Sequence, residues 1–173
     1  MGRRIAQRLA RRIAFTVALA CLLVGAQGGK EQQPKNEPSP NSGLKKSDAV
    51  VKSTATATKP DADGKQSVTI TLDIDKDWHV YANPLPKDFS GVPTTIIVTA
   101  NSKPEDVKID YPVGKVKQFP TGDEYKAYEG NVTISVAVRR AKGDTSPLQV
   151  SVKFQACTDK KCLLPATVQL SVP

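Results

Sequence analysis

The chain has 173 residues, 25 of them basic and 17 acidic, for a formal charge of +8. Arg3, Arg4, Arg8, Arg11 and Arg12 precede every acidic residue; without them 20 basic residues face 17 acidic ones, an ordinary solvated surface. The lysines are scattered and do not cluster between aromatics, so there is no case for a nucleic-acid partner, and the length gives one domain plus extensions.

The basic start leads into an apolar run from Ile13 to Val24. Twelve residues are short for a bilayer span, which takes about 20, and they suit the core of a signal peptide. Val24-Gly25-Ala26 offers a small-residue cleavage site, so residues 1–26 are read as a signal peptide cut after Ala26. Lipid attachment at Cys21 after Ala18-Leu19-Ala20 is the second route, ranked lower because Leu22-Leu23-Val24 carries the apolar run onward; an uncleaved anchor is the third. Each delivers the rest of the chain outside the cytoplasm, periplasmic or secreted, where disulfides persist. No spanning segment is expected after processing.

Residues 27–65 read as a disordered linker. They are rich in Lys, Pro, Asn, Ser, Thr and Gly, lack aromatics, and carry too little apolar surface to offset the entropy of ordering. The folded domain is expected over residues 66–173. Val68, Ile70, Leu72 and Ile74 alternate with polar residues, a half-buried strand. Trp78 to Ala82 follows a tight Asp75-Lys76-Asp77 turn, and Asn83-Pro84-Leu85-Pro86 breaks it. Thr94 to Ala100 is β-branched, and Asp106 to Tyr111 alternates. Pro112 to Tyr125 reads as a Pro- and Gly-bearing loop, and Val132, Ile134, Val136 and Val138 mark another strand. Arg139 to Pro147 reads as a polar connection. Leu148 to Ala156 and Thr167 to Val172 alternate again. Seven or eight short strands with no helical periodicity predict an all-β antiparallel sandwich.

Most enzyme chemistries lack their residues here. His79 is the only histidine, so it has no partner for a zinc or copper site, and a surface or partly buried strand position is the reading for it. There is no nucleophile-elbow serine or glycine-rich phosphate loop, and no cofactor is expected. Trp78, Tyr81 and Tyr128 read as core.

Two cysteines remain, Cys157 and Cys162, in the run Phe154-Gln-Ala-Cys-Thr-Asp-Lys-Lys-Cys-Leu-Leu-Pro165. The strands on either side, if antiparallel, carry one cysteine each at their shared end, within reach of disulfide geometry. A straight register puts Cys157 on the polar parity and predicts a reachable thiol. As a staple, so short a loop contributes only about 2 kcal/mol. Lys160 and Lys161 favour the thiolate, which suits exchange chemistry. Spacing leaves a redox-active and a merely structural disulfide both open.

This run, with Trp78-His-Val-Tyr-Ala-Asn-Pro84 and Tyr128-Glu-Gly130 before a strand, resembles the N-terminal periplasmic domain of the thiol:disulfide interchange protein DsbD across residues 66–173. The resemblance implies an immunoglobulin-like sandwich in which Cys157 and Cys162 form a redox disulfide. It implies a thiol-disulfide exchange module, a component of a protein-disulfide reductase system, passing electrons between a membrane thiol donor and thioredoxin-like periplasmic proteins. The membrane and thioredoxin-like domains of that family are not in this sequence, so the donor is expected on a separate chain. Four residues separate the cysteines here, against five in the best-known members. The family covers its disulfide with a cap loop bearing an aromatic and nearby acids. The corresponding stretch is Lys117 to Tyr125, with Phe119 as the candidate cap, Tyr125 second, and Asp123 and Glu124 as the acids. The rival reading is a non-catalytic immunoglobulin-like binding or assembly module with a structural disulfide.

Overall fold

The computed structural model describes residues 44–119 and 121–173, which form eleven β-strands and one short 3-10 turn. The strands are β1 (Val51–Ala57), β2 (Lys65–Ile74), β3 (His79–Tyr81), β4 (Thr95–Thr99), β5 (Asp106–Asp110), β6 (Lys115–Gln118), β7 (Glu124–Tyr128), β8 (Asn131–Arg139), β9 (Leu148–Phe154), β10 (Ala156–Cys157) and β11 (Ala166–Val172). Every named pairing is antiparallel. One sheet has the order β1-β2-β8-β5 and a second β11-β9-β4; a third, β10-β3-β7-β6, begins where β9 passes through Gln155 into β10. This is the all-β antiparallel architecture that the alternation predicts.

The alternation also explains the core. Val68, Ile70 and Leu72 of β2 and Ile134, Val136 and Val138 of β8 point one way. Ile96 and Val98 of β4 and Val150, Val152 and Phe154 of β9 point back at them, and all are buried in one cluster. Their polar neighbours in sequence face water, because successive side chains leave opposite sides of a strand. Each fully buried aliphatic side chain contributes about 2 kcal/mol by leaving water, so this cluster holds the two sheets together.

Three expectations need correction. The linker read over 27–65 ends before residue 46. Residues 47–49 form the 3-10 turn, β1 pairs with β2 along its whole length, and Val51 is buried in the main cluster. Alanine and serine supply little apolar area, yet at an edge strand half-burial suffices. Residues 27–43 and the signal peptide read over residues 1–26 lie outside the described residues. The loop read over Pro112 to Tyr125 contains β6 and the start of β7, paired from Lys115↔Ala127 to Gln118↔Glu124. Pro112 to Gly114 and the turn are irregular; in the turn Phe119 and Asp123 are joined by a backbone hydrogen bond, and Gly122 takes the left-handed φ of +93°. The connection Arg139 to Pro147 is not wholly solvated. Arg140 is 1% exposed, and its guanidinium donates to Gln66 Oε1 at 2.9 Å, to Asp144 and to the Ser146 carbonyl.

Candidate functional site

Cys157 and Cys162 are disulfide-bonded, with their Cα atoms 4.0 Å apart. β9 and β11 pair up to Phe154↔Ala166, and the cysteines lie just beyond that end. The loop between them closes on itself: Thr158 N–H donates to the Lys161 carbonyl at 2.8 Å, and Leu163 N–H donates to the Ala156 carbonyl at 2.9 Å. Gln155 reaches across the same end and donates from Nε2 to the Leu163 carbonyl. Ser47, in the stretch read as linker, braces both flanks. Its buried hydroxyl accepts from Ala156 N–H and donates to the Leu164 carbonyl, both at 2.8 Å.

The two cysteines differ in exposure. Cys162 lies at the surface, whereas Cys157 is 1% exposed. The parity that puts Cys157 opposite Phe154 and Ala156 holds, but that face is not solvated. β10 has left the β9 sheet to pair with β3, Cys157 opposite His79. The far face of β3 carries a second cluster in which Tyr81, Tyr125, Ala127 and Cys157 are buried and Phe89, Phe119 and Leu85 pack from outside. The reachable thiol predicted at Cys157 is therefore corrected to a covered one.

Tyr81 reads as core in the sequence, and the core it joins is this second cluster. Its Oη is 3.4 Å from Cys157 Sγ and 3.7 Å from Cys162 Sγ. Disulfide sulfurs carry no proton, so the hydroxyl is the donor. Burial, with a smaller effect of Tyr125, holds the Tyr81 phenol above its ordinary pKa, so it keeps its proton at neutral pH. Phe89 and Tyr125 each meet the Tyr81 ring edge-on, with centroids 4.9 and 5.6 Å away. The signal in the sequence is that His79 and Tyr81 share one parity of a short strand whose other parity, Val80 and Ala82, enters the main cluster. A strand buried on both faces packs against something on each.

The four residues read as a cap divide. Phe119 stacks on Tyr125 with centroids 4.4 Å apart and lies 5.4 Å from Phe89. Tyr125 is buried beneath it, its hydroxyl 3.3 Å from His79 Nε2. Asp123 and Glu124 are exposed and hydrogen-bond Thr121 Oγ1 and Gln118 Nε2 rather than a sulfur. Both line the same groove as Phe119 and Cys162. A charged cluster flanks the other side. Lys117 Nζ is 2.7 Å from Glu129 and 3.8 Å from Asp159 in the cysteine loop, and Lys161 Nζ sits 5.9 Å from the Trp78 ring centre. Burial lowers the Lys117 pKa, but the hydrogen bond and charge of Glu129 outweigh it and the net shift is upward.

His79 is buried, not a surface residue. Burial, then the charge of Lys117, hold its pKa below the ordinary 6.5. Below pH 6.5 the unfolded chain therefore takes up a proton that the folded chain refuses. Stability should fall with pH from about 6.5 down to the folded pKa, and His79→Gln should flatten that slope. Urea unfolding at pH 7.5 and 5.5 checks this; equal slopes in both proteins would contradict it. Glu129 and Asp144, both held below the ordinary carboxylate value by hydrogen bonds, respond only at lower pH.

No curated protein sequence matches the chain. Among solved structures, the N-terminal periplasmic domain of ScsB from Proteus mirabilis superposes with a TM-score of 0.52 at 18% identity, covering 69% of this chain and 44% of that one. The chain thus spans less than half of that relative, and the likeness is one of fold. The N-terminal domain of DsbD from Neisseria meningitidis in its reduced form gives 0.44 at 12% identity, covering 72% of this chain and 85% of that one. The complex of the DsbD and PilB N-terminal domains from Neisseria meningitidis gives 0.43 at 12% identity, with coverages of 69% and 80%. The family described as thiol:disulfide interchange protein DsbD, N-terminal, matches residues 46–173, which takes in β1 as well as the region from residue 66 onward. That match covers well over half of the sequence, and the chain belongs to this family.

Proposed function

We propose that the domain is a thiol-disulfide exchange module working outside the cytoplasm, with Cys157–Cys162 as its redox couple. The observation that carries the reading is the asymmetry of the disulfide: one cysteine at the surface beside a groove, the other covered and facing a phenolic hydroxyl. A partner thiolate attacks Cys162 Sγ, the intramolecular S–S bond breaks, and Cys157 leaves as a thiolate with the electron pair. Tyr81 donates to that thiolate, which needs a donor because it is cut off from water. The partner's second thiolate then attacks its own sulfur in the mixed disulfide and releases Cys162. The steps run backwards when the reduced domain reduces a partner.

Phe119 and Tyr125 shield the couple between encounters. Phe119 sits on the β6–β7 turn, which allows it to move while Tyr125, in β7, stays with the rigid sandwich. The partners are thioredoxin-like proteins and a membrane thiol donor. Among the described residues no helix is long and apolar enough to cross a membrane. Export through residues 1–26 gives a periplasmic location, and mass spectrometry of the mature protein should find a terminus near Gln27.

The test is the reduction potential, measured by equilibration with a dithiol buffer. Structural disulfides lie below about −300 mV, and exchange-active ones lie higher. A value near or below −300 mV, with no reduction by a thioredoxin system, would favour the assembly module with a structural staple.

A further inference from the structure

A groove of about 640 Å³ opens beside Cys162. Its floor is Tyr81, Phe89, Gly91, Phe119 and Gln155 with Cys162. Gly91 is required: a Cβ there would lie 2.3 Å from the Phe89 ring and 2.6 Å from the Tyr81 ring. Gln155 ties one wall to the cysteine loop, accepting from Val92 N–H at 3.2 Å and donating to Leu163. Three exposed carboxylates, Asp88, Asp123 and Glu124, stand along this floor, and no lysine or arginine among the described residues lines it. None of the three is in an ion pair among the described residues. Lys161 of the cysteine loop is instead held over Trp78. Past Glu124 the apolar surface continues through half-buried Leu85 and Val116, the latter 59% exposed. An aromatic floor, unpaired acids and an exposed apolar margin meet at the one surface cysteine of the disulfide.

Building on the exchange reading, we propose that this groove receives an extended partner segment whose exchanging cysteine is flanked by lysine or arginine. The aromatic floor takes the partner's backbone and apolar side chains. The carboxylates select positive charge beside its sulfur. Rim charges of this kind act mainly on the rate of encounter and on its salt dependence, since they stay hydrated.

The probes are two peptides of equal length, each a mixed disulfide with 5-thio-2-nitrobenzoate, one with lysines beside its cysteine and one with glutamates. Each reacts with the reduced domain through attack on its disulfide, and released thionitrobenzoate gives the rate. At low salt the lysine peptide should react about tenfold faster. The ratio should shrink towards one at high ionic strength, where screening acts within a few ångströms. In the Asp88→Lys/Asp123→Lys/Glu124→Lys protein the preference should reverse. Because the readout is a ratio within one protein, a general loss of reactivity does not mimic it. Equal rates for the two peptides, or a preference that survives the triple change, overturn this inference and leave the exchange reading standing. Reaction with neither peptide overturns both.

Discussion

Cys157→Ser will trap partners as a stable mixed disulfide through Cys162, and Cys162→Ser will not. Cys157 is 1% exposed beneath Tyr81 and Tyr125, with Phe119 stacked above, whereas Cys162 lines an open groove. A partner sulfur must approach along the S–S axis. At Cys162 that approach costs little. At Cys157 it requires the aromatic cover to open, and an opening of about 3 kcal/mol slows attack roughly 100-fold. The Cys157→Ser protein also lacks the thiol that resolves the adduct, so the adduct accumulates. Incubating each reduced variant with an oxidised thioredoxin-like protein and separating the products without reductant reads the outcome directly. Equal trapping by both variants would show that the cover does not discriminate. Trapping only through Cys157 would reverse the assignment of roles.

Why the sequence misplaced Cys157 is a matter of what a strand's two faces meet. Parity along Leu148 to Cys157 is legible because alternation is a property of the strand itself, and β2, β8, β9 and β11 follow from it within a residue or two at most ends. Parity does not say what lies beyond the polar face. That is decided by β3 and the β6–β7 hairpin, which come from 30 to 80 residues earlier in the chain. β7 carries its own signal, Tyr125 and Ala127 inward against Glu124 and Lys126 outward, but Pro112, Gly114 and Gly122 around it resemble a loop. Tyr81 is hidden for a similar reason. An aromatic on a buried strand looks the same in sequence whether it packs on leucine or on a sulfur. The cysteines were legible from the residues, as the pair left at the shared end of two alternating strands, whereas their redox role and Phe119 as a cover came only with the resemblance; nothing in their spacing distinguishes a carrier from a staple.

The stretch read as linker has the second large consequence. A chain starting at residue 58 should fail to fold stably, whereas one starting at residue 44 should fold like the 173-residue chain. If residues 44–57 were solvated tether, removing them would cost nothing. Instead Val51 is 2% exposed, and its burial contributes about 2 kcal/mol. Ser47 Oγ makes two buried hydrogen bonds at the cysteine loop, each contributing about 1 kcal/mol, and its loss strands the Ala156 N–H without that partner. Those terms alone approach the lower end of the roughly 5–15 kcal/mol by which domains are stable. Loss of β1 also bares the ten-residue β2 as an open edge, a template for aggregation. The effect should reach the redox loop before the fold fails, because Ser47 holds Ala156 and Leu164 on either side of the two cysteines. Circular dichroism and urea unfolding of the two truncated chains decide the matter. A cooperative transition with unchanged midpoint in the shorter chain would mean that β1 adds nothing to the sandwich. Loss of that transition, with full stability retained in the longer chain, would put the start of the domain between residues 44 and 57.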